Sequence, residues 1–289
     1  MRINVCIPTR SKPEYLAEYM AITQDAAALP TTRFIVAADA DDVRLPEYEH
    51  VCNRPGVHLS VAAREDALGQ KFNRCVSEER ADIYVMAVDD VAIATRGWDE
   101  ILANEAALFP DGIVNMQFGV EPHGEYIPGF QAITHRMVEL QGDFAAPYFP
   151  FWWHNTWAYE IAELAGRRWP VQIAAQYPKV GEFPSAPRRD IGLWAAFFDE
   201  MRVVRAAAAD RIIEACDNPP WRTAELARAR PVLMAMQLQR NALLRDPKFC
   251  ERLEKDASLP DPLDARHARL RNKAADALSA LASTQAKAA

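Results

Sequence analysis

The chain has 289 residues, half of them apolar, and a formal charge of −7, enough to bury a substantial core and to argue against disorder throughout. No apolar run approaches the roughly 18 to 20 residues that cross a bilayer, and MRINVCIPTR leads into a strand-like segment instead of a signal-peptide core, so a cytoplasmic protein with no membrane span is expected. The absence of any long basic block argues against nonspecific nucleic-acid binding through a positive face.

The first half alternates short β-rich runs with helical periodicity, which predicts strands joined by crossover helices in a mostly parallel sheet. INVCIP is the first strand. SKPEYLAEYM follows as a helix, with Ser11 as N-cap, Pro13 in the first turn and Glu14 placed to complete a capping box. RFIVAAD and VHLSVAA read as the second and third strands, ALGQKFNRCVSEERA as a helix and DIYVMAV as the fourth strand. GWDEILANEAALF sets Trp98, Ile101, Leu102 and Leu108 at helical spacing, and GIVNMQF is a further strand. From Glu121 to Pro150 the text turns irregular and rich in Pro, Gly and aromatics, as binding surfaces and lids often are. NTWAYEIAELAG reads as a helix capped by Asn155 or Thr156 and closed by Gly166. From about Asp190 the chain is helical and Ala-rich, broken at DNPPW and SLPDPLD, with a tail ALASTQAKAA expected to fray. The apolar spacing of ELARARPVLMAMQLQRNALL suits packing on the preceding domain or a homo-oligomer formed through these helices. Cys6, Cys52, Cys75, Cys216 and Cys250 have no CxxC spacing, so free thiols are expected and not a zinc site or disulfide framework.

Ligands of open α/β sheets bind beyond the carboxyl ends of the strands, so the polar residues there are the candidates for chemistry. Pro8, Thr9, Arg10 and Ser11 follow the first strand, and Asp39, Asp41 and Asp42 the second. Arg64, Glu65 and Asp66 follow the third, and Asp89 and Asp90 the fourth. Carboxylates gathered this closely repel, and a divalent cation among them relieves the repulsion. An Mn²⁺ or Mg²⁺ ion held by one or two of these carboxylates and completed by substrate phosphates is therefore expected, with one carboxylate of the Asp89–Asp90 pair aimed at it. Each of these residues also has a plainer reading: Asp89 and Asp90 as a strand end and turn, Asp42 as a turn cap, Lys71 as a solvated lysine.

VCIPTRSKPEYL, FIVAADADD and LGQKFNRCVSEERADIYVMAVDD, in that order, resemble the nucleotide-sugar half of a GT-A type glycosyltransferase, in particular the large inverting family 2-like group. The resemblance covers about residues 1 to 200 and implies a Rossmann-like, mostly parallel sheet flanked by helices, with a helical C-terminal extension from 201 to 289. It implies a nucleotide-binding half over about 1–118 and an acceptor half over about 119–200. By that resemblance Pro8, Thr9 and Arg10 border the nucleotide, and Asp39, with Asp41 nearby, contacts base or ribose. Gly69, Lys71 and Asn73 also lie near the nucleotide. Asp90, with Asp89 beside it, matches a variant DxD motif that carries the metal.

In the family an acid at the start of a helix after an aromatic loop takes the acceptor's proton. GDFAAPYFPFWWHNTWAYEIAELAG is the corresponding stretch, and Asn155 stands where the acid is expected. An amide does not accept that proton at neutral pH. Three accounts follow: His154 is the base, or Asp143 or Glu160 reaches the site from another direction, or the chain transfers slowly or only binds. The family's later metal-ligating histidine is also missing, with Gln176 and Tyr177 in its region. Phe130, Tyr148, Phe149, Phe151, Trp152 and Trp153 either stack sugars or form a small core under the loop. The implied function is transfer of a sugar from a nucleotide-diphosphate donor, with uridine diphosphate donors commonest in the family, to an unknown acceptor. The alternative is a noncatalytic nucleotide-sugar or glycan-binding protein. A nucleotidylyltransferase is disfavoured because PTRSKPEYL lacks the glycines of a phosphate-cradling loop.

Overall fold

A computed structural model describes residues 1–118, 130–176, 189–254 and 261–288. Tyr177, residues 119–120 and the 121–129 part of the irregular segment lie outside the described residues.

The elements run β1 (Ile3–Pro8), α1 (Pro13–Ala26), β2 (Thr32–Asp39), α2 (Leu45–Cys52), β3 (Val57–Ala62), α3 (Leu68–Glu78), β4 (Ile83–Met86), β5 (Ala92–Ile93), α4 (Trp98–Ala106) and β6 (Asn115–Phe118). They continue with β7 (Phe130–Thr134), α5 (His135–Gln141), α6 (His154–Leu164), β8 (Arg168–Pro170), β9 (Ala175–Gln176), α7 (Ile191–Glu200), α8 (Arg202–Ala215) and α9 (Pro220–Arg240). A 3-10 turn (Ala242–Arg245), α10 (Pro247–Leu253) and α11 (Asp261–Ala288) complete the described chain.

Seven strands form one sheet in the order β3-β2-β1-β4-β7-β6-β8. β3, β2, β1 and β4 are parallel, β7 is antiparallel to both β4 and β6, and β8 is parallel to β6. β1, β2 and β4 are buried on both faces, which is why they read as continuous apolar runs, whereas β3 at the sheet edge has only Ser60 buried. Period-two alternation divides β1: Ile3, Val5 and Ile7 face a core with Leu16, Tyr19 and Met20 of α1, while Cys6 faces a second core with Phe72 of α3 and the C-terminal helices.

Three local expectations are corrected. Ser11 does not cap α1: it takes a left-handed φ of 58°, its N–H donates to Asp42 at 2.6 Å, and Glu14 pairs with Arg44 at 2.5 Å instead of closing a capping box. The stretch expected to be irregular up to Pro150 contains β7 and α5. The terminal tail stays helical to Ala288.

The C-terminal helices are built into the rest of the chain. Arg205 of α8 is 1% exposed and donates to Glu160 of α6 at 3.0 Å. Arg269 of α11 pairs with Asp66 beyond β3 at 2.5 Å, and Lys273 donates to the Pro147 carbonyl at 3.0 Å. Trp221, Val232 and Met236 of α9 remain exposed. No helix among the described residues is long and apolar enough to cross a membrane, and the five cysteines are free.

Candidate active site

The chain leaves β1 for β2 and β3 on one side and returns to β4 on the other, so the strand order reverses between β1 and β4. Such a reversal opens a crevice beyond the carboxyl ends of the two strands. Here Thr9, just past β1, donates its hydroxyl to Asp89, past β4, at 2.6 Å. Tyr48 of α2 reaches the same threonine hydroxyl at 3.1 Å and accepts from the Lys12 N–H at 2.6 Å. Burial pushes the Asp89 carboxyl up to about 6, with the charge of Asp90 adding to the rise and the Thr9 hydrogen bond opposing it. Asp90 is one-third exposed, and Lys12 stands 3.8 Å away.

Next to this pair, the buried Asp39 receives Arg10 at 2.8 Å and Lys71 at 2.7 Å. Lys71 also donates to the Thr9 carbonyl at 3.1 Å, so an α3 side chain ties the ends of β1 and β2 together. Burial lowers the Lys71 pKa, and the charge of Asp39 works against that shift. Arg10 reaches on to Asp41 at 2.6 Å and holds that carboxyl below its usual range. The rim is therefore not the bare cluster of repelling acids expected from sequence. Asp39 and Asp41 are each met by a cation, and Asp42 is used by the Ser11 N–H and by the Arg44 N–H at 3.0 Å.

The fold as a whole is similar to that of solved structures. TarS 1–349 of S. aureus in complex with UDP-GlcNAc matches with a TM-score of 0.56 and 12% identity over 86% of this chain and 91% of that chain. Its complex with UDP matches at 0.54 and 12% identity, over 90% and 94%. The fold is GT-A. A mannosyltransferase of Pyrobaculum calidifontis in complex with GDP-Man and Mn²⁺ shows a weaker likeness, with a TM-score of 0.48 and 16% identity over 96% and 80%. No protein-family model and no curated protein matches the sequence.

Within this GT-A frame the structure assembles some of the anticipated residues and separates others. Pro8, Thr9, Arg10, Asp39, Asp41, Lys71, Asp89 and Asp90 converge on the carboxyl-end rim. Gly69 serves packing instead: a Cβ there would lie 2.1 Å from the Ala146 carbonyl oxygen. Asn73, two positions beyond Lys71 and so on the other side of α3, clamps Ala145 through its N–H and C=O, both at 2.9 Å. Asp143 accepts from Asn73 at 3.2 Å and belongs to that clamp. His154 is buried against the Phe72 ring, with ring centroids 5.3 Å apart, and burial lowers its pKa to about 4, which makes it a poor proton acceptor. Gln176 pairs with Ala92 in a two-stranded ribbon.

The aromatics divide in the same way. Phe130 stacks on Phe118 at 5.3 Å between β7 and β6. Phe149 is buried among Trp153, Trp157, Trp194 and Phe198. Trp152 and Trp153 both take left-handed backbone, φ 48° and 53°, which costs on the order of 1–3 kcal/mol per residue and collects at functional sites. They wall a cavity of about 260 Å³ at the start of α6. At that start the Asn155 carbonyl accepts from Gln131 at 2.7 Å, and Gln131 is the β7 partner of Met86 at the end of β4. Asn155, one of the residues lining the cavity, is therefore linked through Gln131 to the strand that leads to Asp89.

Sequence reasoning missed Arg266. From α11 it donates to the backbone carbonyls of Asp66 and, at 3.4 Å, Pro150. Burial and the charge of Arg64 pull its pKa down to about 10, and Arg10, Asp39 and Asp66 also act on it. A residue this far along the chain carries no local signal that it meets the rim.

The raised pKa of Asp89 gives a pH test. Its folded value of about 6 exceeds the ordinary 3.8, so its contribution is fully present below about 3.8 and is lost as pH rises through about 6. Relative to Asp89→Asn, wild type should lose about 3 kcal/mol between about pH 4 and pH 7 in urea unfolding. Comparison with the variant removes the contribution of His154, whose depressed pKa acts in the opposite sense. A pH-independent gap would contradict the burial of this carboxyl.

Proposed function

We propose that the chain is a glycosyltransferase that moves a sugar from a nucleotide-diphosphate donor to an acceptor hydroxyl, with inversion and metal assistance. The observation that carries this reading is the Thr9–Asp89 hydrogen bond across the reversal point, flanked by Arg10, Lys71 and Asp39. The S. aureus TarS structures of this fold hold UDP-GlcNAc and UDP, which makes uridine nucleotides the first donors to try.

Arg10, Lys71 and Arg266 supply positive charge for the nucleotide and its phosphates, and Asp39 fixes the first two. Among the described residues no group of three His, Cys, Asp or Glu side chains stands ready to hold a metal. The Asp89–Asp90 pair nevertheless fits a hard cation that takes few protein ligands, because its own repulsion is only partly relieved by Lys12 at 3.8 Å. Asp90, with Asp89 beside it, would hold Mn²⁺ or Mg²⁺ there. Bound in that place, the ion would neutralise charge on the departing diphosphate.

The acceptor proton is assigned to Glu160. It lines the cavity at the start of α6, and burial raises its carboxyl to about 7, close to the pH at which a general base works best. Arg205 donates to its Oε2 at 3.0 Å, while Arg240 stands 3.7 Å from Oε1. A second reading, a nucleotide-sugar or glycan-binding protein without turnover, is favoured by the amide at Asn155 and the buried His154.

Release of UDP from UDP-sugars in the presence of Mn²⁺ separates the two readings. Wild type should turn over, and Asp90→Asn should lose turnover by about 100-fold or more, since electrostatic contacts to developing charge are commonly worth that much. Its melting curve should stay close to wild type, because among the described residues Asp90 has only a distant ion pair to lose. Nucleotide binding with no release from any donor would leave the binding reading.

A further inference from the structure

The turn that leads from β1 into α1 is gripped from α2. Tyr48, one of the two buried residues of that short helix, is fully enclosed, and its hydroxyl lies 2.6 Å from the Lys12 nitrogen and 3.1 Å from the Thr9 hydroxyl. The two contacts bracket the turn. Between them Ser11 holds its left-handed φ of 58°, and its N–H donates at 2.6 Å to Asp42, just ahead of α2. Non-glycine residues in this conformation persist only where their surroundings over-determine them, and they collect at ligand clamps.

The direction of each hydrogen bond follows from what the groups can do. A backbone N–H only donates, an ionised carboxylate only accepts, and Tyr48 and Thr9 have one hydroxyl proton each. With the Lys12 N–H at one end and the Asp89 carboxylate at the other, the order is fixed. Lys12 donates to Tyr48 Oη, the Tyr48 hydroxyl donates to Thr9 Oγ1, and the Thr9 hydroxyl donates to Asp89 Oδ2 at 2.6 Å. Tyr48 thereby commits the single proton of Thr9 to Asp89. Both hydroxyl residues are buried, Tyr48 at 0% and Thr9 at 4% exposure, and hydrogen bonds in such a chain polarise and strengthen one another.

The rim depends on this turn for two of its cations. Arg10 reaches Asp39 and Asp41 from it, and Lys12 stands 3.8 Å from Asp90. Thr9 also offers its carbonyl to Lys71 at 3.1 Å. Tyr48 itself is enclosed, so it acts through Thr9 and Lys12 and not by touching a ligand.

We propose that Tyr48 is a positioning residue of the donor site: its buried hydroxyl aims the Thr9 proton at Asp89 and holds the strained 9–12 turn in the shape that takes a nucleoside diphosphate and its cation. The inference deepens the donor-site reading above and rests on it.

The test is isothermal titration of UDP with Mn²⁺ into the full chain, well below the melting temperature of each variant, with melting curves recorded beside it. Tyr48→Phe should weaken binding about tenfold, the size of one lost hydrogen bond to a charged group. Thr9→Val should weaken it at least as much. The double variant Tyr48→Phe/Thr9→Val should bind no more weakly than Thr9→Val alone, because one chain of bonds carries both effects. Ser11→Gly, which adopts φ 58° without strain, supplies a stabilised background should Tyr48→Phe fail to fold, and the same tenfold loss is expected there. A lowered melting temperature with UDP affinity unchanged within about twofold makes Tyr48 a packing residue; it overturns the inference and leaves the donor site standing. Losses that add in the double variant also overturn it, since Tyr48 and Thr9 would then act separately. A folded wild type that binds no UDP defeats the donor-site reading and the inference together.

Discussion

Replacing Asp39 with alanine is expected to remove about 3–5 kcal/mol of stability, the range seen when one partner of a buried ion pair is taken away. Asp39 is 1% exposed, and its carboxylate is shared by Lys71 at 2.7 Å and Arg10 at 2.8 Å. Arg10 keeps Asp41 at 2.6 Å as an alternative partner, but Lys71 is buried and keeps only the Thr9 carbonyl, so the uncompensated charge falls mainly on the lysine. The double variant Asp39→Ala/Lys71→Met should therefore recover more than half of the loss, since a neutral pair of similar bulk avoids the desolvation cost. Urea unfolding of the single and double variants measures this directly. A loss under about 1 kcal/mol for Asp39→Ala would mean that the pair is hydrated and not built as described.

Gly69→Ala should be the most damaging single-methyl change in the chain. The added carbon would sit 2.1 Å from the Ala146 carbonyl oxygen and 2.8 Å from its carbon, with the Ala145 oxygen at 3.2 Å. These are backbone atoms, and the segment cannot swing aside because Asn73 holds Ala145 at both its N–H and C=O. Overpacking costs typically about 1–3 kcal/mol when side chains yield, and the expected loss here is about 3 kcal/mol or more. Gly192 supplies the control: it lies within α7, where among the described residues an added methyl meets only the Cys250 sulfur at 3.8 Å. Gly192→Ala should be neutral or stabilise by up to about 1 kcal/mol. Equal melting temperatures for the two variants would contradict the close approach of α3 to the 145–146 segment.

The core strands were legible because buried parallel strands must be apolar along their length, and their ends must turn polar where they meet solvent. INVCIP, RFIVAAD and DIYVMAV satisfy both conditions, and the rim residues follow them at once, while VHLSVAA, the edge strand, was legible from its β-rich composition. α2 carried little signal, since only Tyr48 and Cys52 of its eight residues are buried. β7 and α5 are short and adjoin a Pro- and Gly-rich segment that masks their periodicity.

Within the site, residue types were readable and partners were not. Asp39 was singled out as a ligand contact, but its neutralisation by Lys71 from α3 depends on a crossover that brings a helix across two strand ends. Gly69 and Lys71 looked equivalent in LGQKFN, although the helix turns one toward Ala146 and the other toward the rim. Arg205 and Arg266 were invisible for the same reason: each meets its partner across a long sequence separation, and no local pattern encodes which carboxylate or carbonyl waits there.

The central claim, a donor site where β1 and β4 part, is tested most directly by nucleotide binding. Isothermal titration of UDP and UDP-GlcNAc into the wild-type chain with Mn²⁺, repeated with Asp90→Asn, should show binding that weakens at least tenfold in the variant. At a ligand concentration about 100 times Kd, the same binding should stabilise the wild type by about 2.7 kcal/mol in a melting experiment. A folded wild type that binds none of the nucleoside diphosphates or their sugars, with or without the metal, would contradict the account.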